Sequence, residues 1–382
     1  MGMGLGFLQV VTDVRFSASR ERVRICLGPN GFGDAISREK IRIAVPSKGG
    51  ILDDTKDLLR DIGAELRISN PRQYTAALKG FEDVEVWLQR PPDIARKVRD
   101  GTVELGFTGY DLVVEHGGES NEIVPVHEDL GYGQCRLAVG VPMNWGDITG
   151  MEDLSKHLKA NSERPLRVAS KYSAQTKKFF ARSGIRNYQI VYMDGALEAS
   201  TQMGTADCIV DLVSSGVTLR ENLLKEIEGG TLLTSTMQLI GNRSALTRQD
   251  ERGTRLRILA RELMERIEAH NVGSDQCNLI ANVRGSSPGD VARRLGAGTD
   301  LRGMDGPTIS TVIPPRGSDL GMYAVGLIIP KERMYNAVEQ LRRIGGSGVC
   351  VLPVTYVFEK SSDRWKSFIS ELGIRDDTDA VL

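Results

Sequence analysis

Cysteine is scarce and scattered: Cys26, Cys135, Cys208, Cys277 and Cys350 form no CxxC pair and no close spacing. That excludes a zinc ribbon and a small disulfide framework, and the thiols read as buried groups in a reducing compartment. Histidine is scarcer still: His116, His127, His157 and His270 show no HExxH spacing, so they read as structural or surface residues rather than metal ligands. No apolar run approaches the ~20 residues that a membrane span needs, which excludes a membrane partner of that kind. Charge of one sign is also missing. With 49 basic and 50 acidic residues the net charge is -1, so nucleic acid is not a bulk partner, although a local basic pocket for a small anion is compatible.

What is present is length and regular patterning. A chain of 382 residues exceeds one ordinary core, which implies two or three domains. Residues 1–40 have no periodic core pattern and are relatively rich in Arg, Ser and Gly. They read as an N-terminal extension, either disordered or derived from a transit segment; no basic residue precedes the short apolar part, as a secretory signal would require.

From Ile41 the text alternates. "IRIAVPSKGG" is a strand and glycine turn, followed by the helical "ILDDTKDLLRDIGAEL". "VEVWLQRPPDIARKVRDG" and "VELGFTGYDLVVEHG" repeat the scheme. Such alternation implies a mostly parallel α/β sheet, with ligands gathering at the carboxyl ends of its strands. A second α/β group follows from "CRLAVGVP" through "DCIVDLVSSG" to an expected helix "TLRENLLKEIEGG". The reading is two lobes with a cleft between them: 41–135 with 233–248 as the first, 136–232 as the second. A long charged helix then leads into strands and helices in the order βαββαβ, a ferredoxin-like arrangement, within a third domain over 252–375.

Several residues stand where chemistry would be. Asp211 interrupts an apolar strand, and Ser214, Ser215, Gly216 and Val217 form the loop entering a helix. Backbone N–H groups at a helix start suit a phosphate, Gly216 permits close approach, and Asp211 can accept hydrogen bonds from sugar hydroxyls. Thr218 and Glu221 have the T-x-x-E spacing of a capping box, with Gly229 and Gly230 as the expected stop. Glu198, in "DGALEA", stands at another turn into a helix as a second ribose contact, or merely as a complement to the dipole. Lys48, Arg90 and Asp111 each follow a strand of the first lobe. The two cations could neutralise phosphates and Asp111 could orient a base or a cation.

Together these stretches resemble the ATP phosphoribosyltransferases in their long, regulated form, plant-type members most of all. The text that carries the resemblance is "IRIAVPSKG", "VWLQRPPDI", "LGFTGYDLV", "DGALEA", "ADCIVDLVSSGVTLRENLLKEIEGG" and "YAVGLIIPKERMYNAVEQLRRIGGSGVCVLPVTYVF". The resemblance implies a two-lobed catalytic region of the periplasmic-binding-protein type and a C-terminal ferredoxin-like (ACT-like) domain. It implies condensation of ATP, through adenine N1, with phosphoribosyl pyrophosphate, requiring Mg2+, as the first step of histidine biosynthesis. It also implies feedback inhibition by histidine and a homo-oligomer passing from dimer to hexamer, in the plastid if plant-type and otherwise in the cytoplasm.

Carried over by position, Ser214, Ser215, Gly216, Val217 and Thr218 hold the 5-phosphate, and Asp211 and Glu198 the ribose hydroxyls. Gly109, Asp194, Gly195 and Leu219 join the substrate-binding set, and Lys48, Arg90 and Asp111 face ATP and the pyrophosphate. "PTIS" and "GSGVCVLP" are expected near the histidine effector. Gly50 departs from the family pattern, which has a basic residue there; Arg72 is the candidate to supply the charge. Three other readings explain less of the chain: a solute-binding protein, a Rossmann-like phosphoribosyltransferase, and a pure amino-acid sensor.

Overall fold

A computed structural model describes residues 39–70, 73–118, 121–160, 163–313 and 321–378. The extension read over 1–40, apart from Glu39 and Lys40, lies outside them, and so do Cys26 and Arg72.

The first sheet has seven strands, ordered Leu66–Arg67, Thr75–Leu78, Phe81–Gln89, Ile41–Pro46, Leu105–Gly109, Met237–Asn242 and Ile123–His127. Ile41–Pro46 lies at its centre, parallel to both Phe81–Gln89 and Leu105–Gly109. It is buried nearly throughout, as a parallel strand covered on both faces must be. The carboxyl ends of these three strands therefore share one rim, and Lys48, Arg90 and Asp111 follow them.

The second sheet runs Leu224–Ser235, Cys135–Pro142, Cys208–Val213, Leu166–Ser170 and Tyr188–Tyr192. The third has the order Thr308–Val312, Met322–Pro330, Gln276–Arg284 and Gly346–Pro353, antiparallel throughout. Its central strands alternate strictly, with Cys277, Leu279, Ala281, Val283, Tyr323, Val325, Leu327 and Ile329 buried. Helices Pro288–Gly298 and Met334–Arg343 cover that face, completing the ferredoxin-like layer.

Three expectations change. Residues 218–230 do not form one helix. The helix ends after five residues, Val217–Glu221, and Leu224–Ser235 is a strand antiparallel to Cys135–Pro142. Leu, Lys and Glu favour helix by only tenths of a kcal/mol, which tertiary pairing overrides. Gly229 and Gly230 are a bulge in that strand rather than a helix stop, with Gly229 at φ 69° and the register shifting between Glu226 and Thr231. Nor is there a capping box at Thr218: Gly216, in the left-handed region at φ 73°, is the cap residue and no side chain caps this end.

The domain limits also move. Leu233 to Ser235 still pair in the second sheet, and the return to the first begins at Met237 rather than at 233. Helix Glu251–Ser274, read as the start of the third domain, packs Leu256, Leu259, Leu263, Met264 and Ile267 into the core of the first lobe. Helix Asp363–Leu372 adds Trp365, Phe368 and Leu372 to the same core. Buried Arg257 fixes the segment beyond it, donating from Nε to Asp377 at 2.8 Å. The third domain is thus a loop of chain inserted between two helices that belong to the first lobe. Cys208 and Cys277 are buried as expected, whereas Cys135 is only partly buried and Cys350 is exposed.

Candidate active site

The cleft is built where strand ends of the two lobes face each other. On the first-lobe side, Lys48 stands exposed in the turn after Ile41–Pro46. Gly49, at φ 78°, then turns the chain into helix Gly50–Asp61, with open space around both Gly49 and Gly50. Arg90 is the cap residue of helix Pro91–Arg99, whose two leading prolines need no amide partner.

On the second-lobe side, Lys171 and Tyr172 follow strand Leu166–Ser170, and Asp194 and Gly195 follow Tyr188–Tyr192. Arg90 and Asp194 line one cavity of about 100 Å³, together with Arg96, His116, Lys171 and Tyr172. Lys171 lies 5.2 Å over the Tyr172 ring. Burial, reinforced by Arg96 and Arg99, lowers the His116 pKa, so the cations of this cavity are arginine and lysine.

Asp211 lies beside this cavity. Burial raises its carboxyl above the usual value; the Leu212 N–H and Lys171 oppose that shift, while Glu198 and Asp111 reinforce it. Charged groups from both lobes are therefore within electrostatic reach of Asp211. Glu198 rides on the short 3-10 helix Leu197–Ser200, entered through Ala196 at φ 49°. Beyond Asp211 the loop exposes Ser214, Ser215, Val217 and Thr218, while Gly216 and Leu219 are buried. The Val217 N–H leans on Ser215 Oγ at 3.4 Å, and first-turn amides of a helix have no intrahelical acceptor.

Both oxygens of Asp111 are engaged between the lobes. One carboxylate oxygen accepts from Tyr172 OH at 2.6 Å and the other from Ser235 Oγ at 2.7 Å, all three residues being buried. Tyr172 belongs to the second lobe, and Ser235 ends the strand that crosses back to the first. Asp111 is a clasp at the hinge. Gly109 is required by it, since a Cβ there would lie 2.2 Å from the Asp111 carboxylate. Nearby, Glu115 accepts from the N–H groups of Ala174 and Gln175 at 2.9 and 3.0 Å, so a first-lobe carboxylate caps second-lobe helix Ser173–Arg182.

Sequence reasoning passed over Lys171, Tyr172, Glu115 and Ser235, none of which stands in a patterned motif. It also passed over Arg136, a charge within otherwise apolar strand text, and Glu226, which stood in text read as helix.

Two family-level sequence models match: ATP phosphoribosyltransferase over residues 90–269, and the C-terminal domain of HisG over 274–356. ATP phosphoribosyltransferase 2, chloroplastic, of Arabidopsis thaliana is 42% identical over 353 residues, covering 90% of this chain and 84% of the relative. The chain belongs to the ATP phosphoribosyltransferase family. A second Arabidopsis relative, ATP phosphoribosyltransferase 1, chloroplastic, is 41% identical across 89% of this chain and 82% of its own. A solved ATP phosphoribosyl transferase (HisG:HisZ) complex from Thermotoga maritima overlaps 60% of this chain and 98% of its own, at TM-score 0.46 and 22% identity. As a member of the family the protein is a pentosyltransferase that joins the phosphoribosyl group of phosphoribosyl pyrophosphate to ATP, the first step of histidine biosynthesis.

Proposed function

We propose that phosphoribosyl pyrophosphate binds the second lobe and ATP the first, so that closing the cleft aligns adenine N1 with C1 of the sugar. The supporting observation is the convergence of Arg90 from one lobe with Lys171 and Asp194 from the other on one small cavity beside Asp211. Ser214 to Leu219 receive the 5-phosphate, and Asp211 and Glu198 accept from the ribose hydroxyls. Gly195 lets the backbone of 194–195 approach the sugar, at φ 117° with open space around it. Lys48, Arg90 and Lys171 take up charge on the departing pyrophosphate. No side chain is needed as a covalent nucleophile: alignment is worth ~7–11 kcal/mol in favourable cases, with charge stabilisation added.

Among the described residues no group of three or more His, Cys, Asp or Glu is arranged to hold a metal ion. The cleft carboxylates Asp194, Glu198 and Asp211 are hard oxygen donors, which suits a magnesium ion arriving on substrate phosphates with several of its waters. When bound, it would screen the pyrophosphate charge.

The third domain is the histidine sensor in this reading. Its open sheet face carries a cavity of about 590 Å³ whose lining includes Asn278, Asp305, Thr308 and Ser310, polar groups suited to an amino acid. Of the two stretches expected near the effector, "PTIS" lines this cavity, while "GSGVCVLP" forms the far edge strand. That edge exposes Val351 and Leu352, the kind of surface that self-association covers, in keeping with a dimer that becomes a hexamer. The chloroplastic relatives support a plastid location.

Pyrophosphate release by the full chain with ATP, phosphoribosyl pyrophosphate and Mg2+, with and without histidine, tests these roles together. Release that needs all three components and falls with histidine supports them. Release indifferent to Mg2+ removes the metal role, and release indifferent to histidine removes the sensor. Ser310→Ala should weaken histidine inhibition while leaving uninhibited turnover in place.

A further inference from the structure

The loop Ser214–Leu219 rests on an ion pair that none of the roles above uses. Arg136, on strand Cys135–Pro142, grips both oxygens of Glu226 on strand Leu224–Ser235, at 2.7 Å from Nε and 2.5 Å from Nη2. Its remaining arm, Nη1, donates to the carbonyl oxygen of Ser214 at 3.1 Å. These two strands pair from Leu224 opposite Pro142 to Glu226 opposite Gly140, and again from Thr231 opposite Ala138 to Ser235 opposite Cys135, on either side of the bulge. Sheet pairing does not account for the bond to Ser214.

A peptide unit is planar and trans, so the carbonyl of Ser214 and the N–H of Ser215 point in opposite directions. Anchoring the carbonyl on the Arg136 guanidinium turns the Ser215 N–H the other way, toward the exposed side of the loop. Glu226 raises a second requirement. One of its oxygens lies 3.6 Å from where a Gly216 Cβ would stand, directly beneath the loop. A bare carboxylate there would repel an anion on the loop; the bidentate guanidinium neutralises it. Arg220 adds another cation on the same side, its Nη1 3.3 Å from that Cβ position.

We infer that Arg136, held by Glu226, is a positioning residue for the phosphoribosyl 5-phosphate: it fixes the Ser214–Ser215 peptide in the anion-binding orientation and cancels the charge beneath it. The inference rests on the reading of 214–219 as the phosphate loop.

The test compares ligands that share one end of the donor. In Arg136→Met, KM for phosphoribosyl pyrophosphate and Ki for ribose 5-phosphate should rise by the same factor, about tenfold or more, the scale of a lost hydrogen bond to a charged group. KM for ATP and Ki for pyrophosphate should stay within about twofold, because neither ligand uses the loop. Arg136→Met with Glu226→Gln should recover part of the loss by removing the bare carboxylate. Arg136→Lys, which keeps the charge and loses the fork, should fall between wild type and Arg136→Met, and it carries the test if the Met variant does not fold. Constants for all ligands shifting together, or a change in thermal stability alone, would mean a structural bolt and overturn the inference. Ser215→Ala separates the two levels. If it weakens ribose 5-phosphate while Arg136→Met and Arg136→Lys do not, the loop reading stands and the positioning role falls. If neither position matters, the loop reading falls and the inference with it.

Discussion

Replacing Tyr172 with Phe should loosen the hinge without emptying the cleft. The change removes one oxygen atom that donates to the Asp111 carboxylate at 2.6 Å inside a buried cluster. A hydrogen bond to a charged acceptor is worth roughly 1.5–3 kcal/mol, and here the carboxylate keeps its second partner, Ser235 Oγ, so the lower half of that range applies. Opening of the junction should become about ten- to fortyfold more frequent, since 1.4 kcal/mol is one decade. Hydrogen–deuterium exchange reads this directly. Peptides spanning helix Tyr110–His116 and helix Ser173–Arg182 should exchange faster, while those from the third-domain strands should not change. Asp111→Asn, which replaces one of the two acceptor oxygens with a donor amide and so breaks one of the two bonds, should give a similar acceleration. Unchanged exchange in both single variants, with KM for ATP raised in Asp111→Asn, would refute the clasp and return Asp111 to the substrate.

Asp211→Asn should lower turnover by about a hundredfold with the circular dichroism spectrum intact, the effect expected from weakening charge-assisted bonds to ribose hydroxyls. Because burial raises the Asp211 carboxyl above 3.8, the wild-type acid limb of kcat/KM should lie above that value and be absent in the residual activity of the Asn variant. His127 is 3% exposed, and burial, followed by the Arg364 charge, holds its pKa down at about 4 instead of 6.5. The unfolded chain therefore takes up that proton first as pH falls. The stability contribution is complete above 6.5 and is lost on going down to about 4, by at most about 3 kcal/mol. His127→Gln should flatten the urea midpoint across that window, and equal slopes in the two proteins would contradict this. Gly50→Arg meets open space at the first turn of its helix, so melting should change by no more than about 2 °C; KM for ATP should fall, and an unchanged KM would place position 50 off the ATP path.

The architecture was largely legible in the sequence because its signals are local. Apolar strands such as "IRIAVP" and "LGFTG", each followed by a turn and an amphipathic helix, announce a parallel α/β lobe whatever lies around them. The strict alternation of "CNLIANV" and "YAVGLII" announces a one-sided sheet. The polar turns after the strands are where Lys48 and Arg90 were expected for the same reason, since strand ends carry ligands in such sheets.

The rest depended on which segments meet. Residues 224–230 read as helix by composition and became strand because Cys135–Pro142 offers a partner for their backbone groups, a fact outside any local window. Helix Glu251–Ser274 reads as a boundary because it is charged, yet its buried stripe fits the first lobe once helix Asp363–Leu372 returns from the far end of the chain. The contacts of Asp111 and Arg136 were least legible of all. A carboxylate or guanidinium is defined by what it touches, and Tyr172, Ser235, Glu226 and Ser214 lie 61 to 124 residues away from them. The sequence by itself determined the elements and the rim on which chemistry sits, through short-range periodicity and turn preference. Only tertiary structure decided which charged groups line the cleft and which are consumed in holding the lobes and the loop, because desolvation and hydrogen bonding act between neighbours in space.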